Sequence, residues 1–600
     1  MKSHLKSVSI IKLEGEFLMT ETINSGVAML QTMESWGIDH LYGLPGGTVN
    51  NIMYALDAEK DRIKFIHVRH EEVGAMAASA DYKIAGQIGV ALGSAGPGAT
   101  HLMQGIYDAK MDKVPALFLV GQSPQADMNM DAFQELDEDP MFQDGAVYAR
   151  TVTTAESLPH VIDEAIRRAY AYHGPAVIII PNDLAGKEIP ADGYYSAANA
   201  HRFNQLQAPE DDQILAALDL IKQAQHPVIF AGIGIQDHAD QTMELAQKLQ
   251  IPIVHSAIAR DIIPTDFEAD LGSSMRVATK PANEAMAQTD LILMLGSNMP
   301  FSHKEFPKNA KVIQIDTNSA NLGKRHHVDV AILSDAGEAL AKLLKLSEPQ
   351  PDSDWYQANV ANNKNWWQYL DSLMNRTTNP MRVEPAFKQI NRIAQPDAIF
   401  SVDVGQVDQN SVRMLHMNGQ KRWFTSGLFA TMGFGLPGAI AASLQYPGRQ
   451  VFNLAGDGAL SMVMQDLDTE KRYHLPIINV VFSNDVLGFI QDEQEDENHE
   501  FFGISLDSMD FAKIAEAQGV TGIDVTDVKD LVAAFDKANE IAAMGEPVLI
   551  NIHAVDQRPI PVEHLQLDPA QFSNEQIQAF KQRYLAEDLQ PLSYFLNQSK

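Results

Sequence analysis

Val451-Phe452-Asn453-Leu454-Ala455-Gly456-Asp457-Gly458-Ala459 and, further along the chain, Ile477-Ile478-Asn479-Val480-Val481-Phe482-Ser483-Asn484-Asp485 are the two segments that decide the fold. Each is a short apolar run that ends in a glycine or in polar residues. Such a run is typical of a buried parallel strand followed by a turn. Longer segments compatible with helices separate runs of this kind throughout the chain, and this alternation predicts parallel α/β sheets covered on both faces.

Eight runs rich in β-branched residues are predicted to be strands, at 116–120, 177–180, 228–231, 291–295, 312–315, 399–402, 451–454 and 477–482. Two polar stretches, 199–212 and 346–354, lack an apolar period and contain proline, so we expect them to be linkers. They divide the 600 residues into domains at 1–200, 201–355 and 356–600. Each domain is predicted to be a doubly wound parallel sheet, because a chain of this length exceeds one hydrophobic core.

The composition excludes several classes of function. With 45 Lys and Arg against 78 Asp and Glu, the formal charge of −33 argues against a nucleic-acid or anionic-membrane surface. The chain has no cysteine, which rules out disulfides and thiolate chemistry and fits a reducing cytoplasm. Residues 1–19 resemble neither a signal peptide nor a membrane span. We therefore expect a cytoplasmic protein without nucleic-acid or membrane partners.

The two strand ends quoted above offer oxygen ligands for a metal ion. A hard divalent cation takes carboxylate, amide and carbonyl oxygens, which Asp457, Asn484 and the main chain of Val486 are predicted to supply. Gly456 and Gly458 let the backbone approach a phosphate closely. A Gly-Asp-Gly by itself is commonly only a turn. The asparagine at the end of the next strand favours the metal site.

On these residues the sequence resembles the thiamine-diphosphate enzymes, whose signature is Gly-Asp-Gly followed at the next strand end by asparagine. The family often has a second asparagine where this chain has Ser483, but the ligand position, Asn484, is kept. The resemblance implies that Mg²⁺ bridges this loop to the diphosphate of thiamine diphosphate.

A second match is Arg69-His70-Glu71, which ends a predicted strand and begins a helix-like segment. In the family this glutamate hydrogen-bonds the aminopyrimidine ring and promotes loss of the C2 proton, so the resemblance gives Glu71 that role. The alternative is that Glu71 is a carboxylate favoured at a helix start. The segments 42–47 and 93–98 also match family loops in order, which supports the catalytic role.

A third match is Phe429-Ala430-Thr431-Met432-Gly433. By resemblance, Met432 wedges between the two rings of the cofactor and the carbonyl of Ala430 accepts from the pyrimidine amino group. The alternative for Met432 is ordinary core packing. Because Glu71 and Asp457 lie on different domains, the cofactor bridges two of them. The family implies that these come from different subunits, so a dimer is the minimum active unit and a homotetramer, as a dimer of dimers, is expected.

The middle segment contains a strand that leads into Gly232-Ile233-Gly234, although the dinucleotide fingerprint would put glycine at Asp237. As a fingerprint this match is weak. Other residues match the flavin-binding domain of pyruvate oxidases, and the resemblance assigns FAD contacts to Arg276, Asn298, Asp316 and Asp335 together with Gly232 and Gly234. The alternative is a domain that carries no redox-active flavin.

The segments 131–135 and 488–493 resemble the active site of the phosphate-dependent pyruvate oxidases, and the likeness spans nearly the whole chain. By position, the residues around the substrate are Phe133, Gln134, Val404, Phe489 and Glu493. The two phenylalanines are equally compatible with a core role. Most of the acidic run 491–497 is expected to be a solvated helix face, with Glu493 alone directed inward.

The resemblance implies oxidative decarboxylation of pyruvate with phosphate and O₂ to acetyl phosphate, CO₂ and H₂O₂, through a thiamine-diphosphate enamine and FAD. The phosphate-binding residues are not identifiable from the sequence. Three alternatives stay open: a quinone-reducing pyruvate oxidase, an acetolactate synthase with a bystander flavin, and a non-enzymatic scaffold.

Overall fold

The computed structural model describes residues 7–13, 16–200, 208–562 and 573–598, and it contains three parallel six-stranded sheets. The predicted α/β class is confirmed, and all eight predicted runs lie within strands. The predicted division at 355 and 356 falls in the first turn of a long helix, and part of the linker at 199–212 lies outside the described residues. Within the described ranges, none of the helices combines the length and apolar character needed to cross a lipid bilayer.

The first domain holds one parallel sheet and a small antiparallel sheet that the sequence did not predict. Its elements are β1 (Ser7–Leu13), β2 (Glu16–Asn24), α1 (Ser25–Ser35), β3 (His40–Gly43), α2 (Asn50–Ala58), β4 (Lys64–His67), α3 (Glu71–Ala85), β5 (Gly89–Gly93), α4 (Pro97–His101), α5 (Met103–Met111), β6 (Ala116–Gln122), α6 (Glu138–Gln143), β7 (Tyr148–Thr151), α7 (Leu158–Tyr172), β8 (Pro175–Pro181) and β9 (Glu188–Pro190). The parallel strands lie in the order β4-β3-β5-β6-β8-β7, and β1, β2 and β9 form the antiparallel sheet.

The middle domain has the strand order of dinucleotide-binding folds. Its elements are α8 (Asp211–Gln223), β10 (Pro227–Ala231), α9 (Ala239–Leu249), β11 (Ile253–His255), β12 (Asp270–Ser273), α10 (Lys280–Gln288), β13 (Leu291–Leu295), α11 (Ser302–Glu305), β14 (Lys311–Asp316), β15 (Val330–Leu333) and α12 (Ala336–Leu346). The sheet runs β12-β11-β10-β13-β14-β15, so its strand order reverses between β10 and β13.

The third domain repeats the strand order of the first. Its elements are α13 (Asp354–Met374), α14 (Glu384–Ile393), β16 (Ile399–Val402), α15 (Gln406–Met414), β17 (Arg422–Phe424), α16 (Gly435–Gln445), β18 (Val451–Gly456), α17 (Asp457–Leu460), α18 (Leu467–Tyr473), β19 (Ile477–Ser483), α19 (Gly488–Asp496), α20 (Phe511–Ala517), β20 (Thr521–Val525), α21 (Leu531–Ala543), β21 (Val548–His553), α22 (Asn574–Ala586) and α23 (Leu592–Gln598). The sheet runs β17-β16-β18-β19-β21-β20.

Each sheet is buried on both faces, as strand β6 illustrates. Leu117 and Leu119 pack into the core beneath α1 and α7, whereas Phe118 and Val120 pack into the core beneath α3. Alternate residues of a strand point to opposite faces, so a doubly covered strand must be apolar throughout. The core beneath α3 continues into the third domain, where α16 packs on α3.

Each sheet therefore has a point where its strand order reverses: between β3 and β5, between β10 and β13, and between β16 and β18. Ligands of such sheets bind outside the carboxyl ends of the strands at these points. The predicted site residues follow these strands or their neighbours.

Candidate active site

Asp457 joins the ends of β18 and β19. Its carboxyl oxygen Oδ2 accepts the backbone N–H groups of Asn484 at 3.0 Å and Asp485 at 2.7 Å, and Oδ1 accepts the N–H of Gly458 at 2.8 Å. The side chain is buried, and burial raises the pKa of Asp457 against the opposing effect of these N–H donors. The structure thus brings the two predicted strand ends together.

The donor set at these ends fits a hard divalent cation. Asp457 offers a carboxylate, and Asn484 offers an amide oxygen that accepts only a long bond, 3.3 Å, from the N–H of Val486 among the described residues. Asp485, between them, has a positive φ of 60°, which turns the chain back after β19. A Cβ placed on Gly456 would meet nothing within 4 Å. The backbone at Gly456 therefore faces open space next to Asp457.

Residues 425–432, which we call the wedge loop, carry Ala430 and Met432. Ala430 and Gly433 both have positive φ angles, 54° and 87° respectively. The Met432 side chain extends toward the Gly456-Asp457-Gly458 segment, since a Cβ on Gly458 would lie 3.5 Å from Met432 Cε. Met432 and Gly458, which were predicted from separate motifs, therefore lie next to each other.

Asp403 is a functional candidate that the sequence analysis missed. It follows β16 directly and is fully buried, and its carboxylate accepts the N–H groups of Val404 at 2.8 Å, Gly433 at 2.9 Å and Gly435 at 3.0 Å. It therefore ties the predicted residue Val404 to the end of the wedge loop. Burial raises the pKa of Asp403 to about 6 despite these donors. An acid followed by Val-Gly at the end of an apolar run was the signal available.

Glu71 is the first residue of α3, and its carboxyl group is buried. Oε2 lies 2.9 Å from Nδ1 of His101, whose ring packs on that of His70 with centroids 4.2 Å apart. A Cβ on Gly98 would approach Glu71 Oε1 to 3.1 Å, so a glycine allows this loop to pass close to the carboxylate. His101 was not identified from the sequence.

The segment 131–135 lies beside the loop 93–98 that contacts Glu71. A Cβ on Gly96 would lie 3.0 Å from Cβ of Gln134, which itself has a positive φ of 64°. Phe133, by contrast, is 88% exposed in the single chain. The structure therefore brings Gln134, but not Phe133, against the loop next to Glu71.

Arg276 connects the predicted flavin site with the predicted substrate site. Its guanidinium lies 4.8 Å from the ring centroid of Phe489, and its Nη2 lies 2.5 Å from Oε1 of Glu493. Phe489 and Glu493 are one turn apart on α19, so Arg276 of the middle domain covers the helix of the third domain that carries both. Side chains predicted for two different roles are thus direct partners.

The other face of α19 corrects the expectation for the acidic run. Asp492 is 9% exposed and therefore does not belong to a solvated face. It forms an ion pair with Arg558, as do Glu495 and Asp496. The expectation that Glu493 alone points inward was wrong, because Arg558, in the segment after β21, pairs with three of these acids.

In the middle domain, Gly232 and Gly234 lie where the strand order reverses. A Cβ on Gly232 would come within 2.4 Å of the carbonyl oxygen of Gly296, so glycine is required here by the close approach of two loops. Asn298, in the loop after β13, accepts from Arg325 at 2.5 Å. The predicted residues Gly232, Gly234 and Asn298 therefore lie on two loops that contact each other.

The two predicted acids of this domain are engaged differently. Asp316 ends β14 and accepts from the side chain of Asn321 at 3.0 Å, and burial raises its pKa. Asp335 caps α12 by accepting the N–H groups of Gly337 at 2.9 Å and Glu338 at 3.2 Å. The carboxylate of Asp335 therefore already has a structural role.

Three serines at the ends of the neighbouring strands have buried hydroxyl groups. Ser256 follows β11, Ser273 ends β12 and Ser274 follows it, and all three hydroxyl groups are buried without a hydrogen-bond partner among the described residues. These oxygen atoms are also inaccessible to solvent, so they lie beneath the surface and do not line an open ligand site. The group in this region that suits the phosphates of a dinucleotide is the half-exposed cation of Arg276, which follows β12.

Comparison with known proteins identifies the three domains. Family models match in chain order as "Thiamine pyrophosphate enzyme, N-terminal TPP binding domain" over residues 23–141, the central domain of the same enzymes over 214–343, and their C-terminal TPP binding domain over 403–552. The pyruvate oxidase of Lactiplantibacillus plantarum is 49% identical over 579 residues, which cover 96% of each chain.

Two further relatives match over most of both chains. The protein YdaP of Bacillus subtilis is 37% identical, with 90% of this chain and 92% of YdaP covered. The acetolactate synthase large subunit of Parasynechococcus marenigrum is 30% identical, with 89% of this chain and 88% of that subunit covered.

Proposed function

This chain belongs to the thiamine pyrophosphate enzymes, and from that membership we propose that it is a pyruvate oxidase that converts pyruvate, phosphate and O₂ into acetyl phosphate, CO₂ and H₂O₂. The observation that carries the proposal is the junction of β18 and β19, where the buried carboxylate of Asp457 holds the strand end that bears Asn484. This junction supplies the oxygen ligands for the metal of a diphosphate cofactor. The preference for pyruvate oxidation rests on the 49% identity with a pyruvate oxidase over 96% of the chain.

In this proposal Asp457, Asn484 and the carbonyl of Val486 hold Mg²⁺, and Gly456 and Gly458 leave room for the diphosphate. When bound, thiamine diphosphate supplies a nucleophilic carbon that allows a 2-oxo acid to lose CO₂. Glu71 holds a proton at N1′ of the aminopyrimidine ring. His101, 2.9 Å away, orients the Glu71 carboxylate. The buried position of Glu71 excludes water from that proton.

We assign FAD to the middle domain. The strand order and the half-exposed Arg276 support a dinucleotide there. When bound, FAD accepts two electrons and delivers them to O₂. Because Arg276 also contacts Phe489 and Glu493, it is suited to hold the substrate helix α19 beside the flavin.

We further propose that the enzyme works as a homotetramer built from dimers, in the cytoplasm. A phenylalanine with 88% of its surface exposed, Phe133, is unfavourable in water, and burial by a partner subunit next to Gln134 would remove this cost. The absence of cysteine fits a reducing compartment.

The test is an assay of the purified holoenzyme. We expect a flavin absorbance spectrum and pyruvate-dependent peroxide formation that requires phosphate and yields acetyl phosphate. Acetolactate formed without oxygen uptake would instead identify a synthase, which the 30% identity with acetolactate synthase makes the second candidate. A protein that binds no flavin and does not act on pyruvate with added thiamine diphosphate and Mg²⁺ would overturn both.

A further inference from the structure

Helix α5 of the first domain contacts the wedge loop of the third domain along its length. At the carboxyl end of α5, Asp112 accepts the backbone N–H of Gly427 at 2.8 Å and of Leu428 at 2.6 Å. A Cβ on Gly427 would lie only 3.1 Å from one carboxyl oxygen of Asp112, which shows how closely the loop approaches this side chain. One side chain therefore fixes two consecutive peptide groups of the loop.

One turn earlier, Asp108 accepts the hydroxyl of Ser426 at 2.6 Å, and this hydroxyl in turn accepts the backbone N–H of Thr431 at 3.0 Å. Asp108 thus closes the loop on itself, because Ser426 lies at its start and Thr431 near its end. At the amino end of α5, the side chain of Gln104 donates to the hydroxyl of Thr431. The three residues Gln104, Asp108 and Asp112 are spaced four apart on one helix face.

The charges of the two aspartates are compensated within the same cluster. Nζ of Lys83, near the end of α3, lies 2.7 Å from both Asp108 and Asp112 and donates to the carbonyl of Thr425 at 3.2 Å. The Lys83 side chain is 9% exposed and Asp108 is fully buried. Removing one member of such a cluster would leave a buried charge without its partner, so the three side chains hold one another in place.

We propose that Gln104, Asp108 and Asp112 are positioning residues for thiamine diphosphate: α5 sets the wedge loop of its own chain in the conformation that presents Ala430 and Met432. Each first domain then serves two cofactors, because it holds the wedge loop for one and offers Glu71 to the other, bound by the partner subunit. This inference rests on the proposed function for the identity of the cofactor. The positive φ of Ala430, 54°, is a conformation that a free loop would seldom keep.

The first experiment measures the Kd of thiamine diphosphate, with Mg²⁺, for holoenzyme variants that retain FAD. Asp112→Ala is expected to raise this Kd about tenfold or more, which corresponds to about 1.4 kcal/mol. Asp112→Asn, which keeps one acceptor, should fall between it and the wild type. Asp290→Ala is the matched control, because Asp290 also accepts two consecutive backbone N–H groups, Gln225 at 2.7 Å and His226 at 2.8 Å, in the middle domain.

A merely structural role would lower flavin content and cofactor affinity together, whereas positioning changes the Kd of thiamine diphosphate alone. Equal Kd values for Asp112→Ala and Asp290→Ala would overturn the proposal. If Asp112→Ala does not fold, Gln104→Ala removes a contact to Thr431 without stranding a charge. We expect it to raise the Kd about threefold, and an unchanged Kd would count equally against the proposal. These measurements do not use pyruvate, so they stand even if the oxidase assay fails.

The second experiment tests whether the two cofactors are distinct. Mixed dimers of a Glu71→Gln chain and an Asp112→Ala chain are purified through two different tags and assayed at the wild-type Kd of the cofactor. One of the two sites then combines an intact wedge loop with an intact Glu71, so about half of the wild-type activity is expected. Activity no higher than the mean of the two variant homodimers would show that α5 and Glu71 of one chain act on the same cofactor, and would overturn this part.

Discussion

Glu71 contacts His101, a partner that none of the sequence motifs predicted. Its Oε2 lies 2.9 Å from His101, and His101 in turn packs on His70, so the carboxylate is held in one orientation before any cofactor contacts it. A glutamate that only capped a helix start would be solvated, whereas Glu71 is 5% exposed. The buried, oriented carboxylate favours the catalytic interpretation over the capping one.

The corresponding change is Glu71→Gln, which keeps the size of the side chain but cannot exchange a proton with N1′. We expect hydrogen–deuterium exchange at C2 of the cofactor to slow by about 10²–10⁴-fold, the usual contribution of a general base. The Kd of thiamine diphosphate should change little. Exchange at C2 is measured by NMR after acid quench. Glu72→Gln, at the next position of the same helix turn, is the control, and equal exchange rates in the two variants would remove Glu71 from the mechanism.

Residue identities were predictable where a motif carries its own chemistry. Asp457, Asn484 and Gly458 were predicted from two strand ends, and the structure brings them together because parallel strands end at one edge. The sequence carried a signal for Asp403 itself, but not for its contact with Gly433. That contact and the pairing of Arg276 with Glu493 depend on which loops from distant parts of the chain meet. Single-sequence patterns contain no information on such long-range contacts.

At the scale of elements, the eight predicted runs all fall on internal strands, whereas the internal strands β3, β5, β11 and β21 were missed. A central strand of a doubly covered sheet, such as β13, is apolar at every position and gives a continuous signal. The edge strands β12, β17 and β20 contain aspartate, arginine or glycine and were not predicted. Strand order was also beyond the sequence analysis, because order is set by packing between residues far apart in the chain.

Helix α19 shows how one element is positioned from two sides. Phe489 and Glu493 of this helix contact Arg276. Other acids of the helix, Asp492 among them, pair with Arg558. The side chain of Arg558 is 8% exposed, and the nearby carboxylates raise its pKa even though burial opposes this. Arg558 therefore holds the helix in place through buried charge.

We expect Arg558→Met to loosen α19, because three carboxylates would lose their shared cation. Breaking a buried pair costs about 3–5 kcal/mol, so thermal stability should fall by several degrees. The KM for pyruvate should rise several-fold as Phe489 and Glu493 lose their fixed positions. Arg62→Met is the control, since Arg62 pairs with Glu34 and Glu59 but is about half exposed. Identical KM values for the two variants would contradict a positioning role for Arg558.

At the scale of the whole molecule, the first and third domains share one hydrophobic core. Helices α3 and α16 pack together, and apolar side chains of both sheets belong to the same cluster. A buried polar network crosses this junction: Asp81 of α3 accepts from Tyr42 at 3.1 Å and from Gln445 of α16 at 3.0 Å. The ring of His40 lies beside Tyr42 and Asp81, with Nε2 3.3 Å from Asp81. The first and third domains of one chain therefore form a single unit.

His40 makes the stability of this unit depend on pH. Burial alone would lower its pKa, but the carboxylates of Asp81 and Asp39 outweigh burial and raise the pKa from 6.5 to about 10. Because the folded value is the higher one, protonated His40 stabilises the fold fully below about pH 6.5, and this contribution is lost as the pH rises through about 10. The melting temperature of the wild type should therefore fall over this interval.

The variant His40→Gln isolates this effect from other groups that titrate in alkaline solution. We expect its melting temperature to be lower than that of the wild type near neutral pH. This difference in melting temperature should shrink by about 3 °C or more as the pH approaches 10, because only the wild type then loses a charged partner of Asp81. His160→Gln, which removes an exposed imidazole bonded to the carbonyl of Gly193, should follow the wild type at every pH. Melting curves of His40→Gln and wild type that stay parallel across the interval would mean that His40 is neutral in the folded protein, and the junction between the two domains would then rest on its apolar core and its uncharged hydrogen bonds.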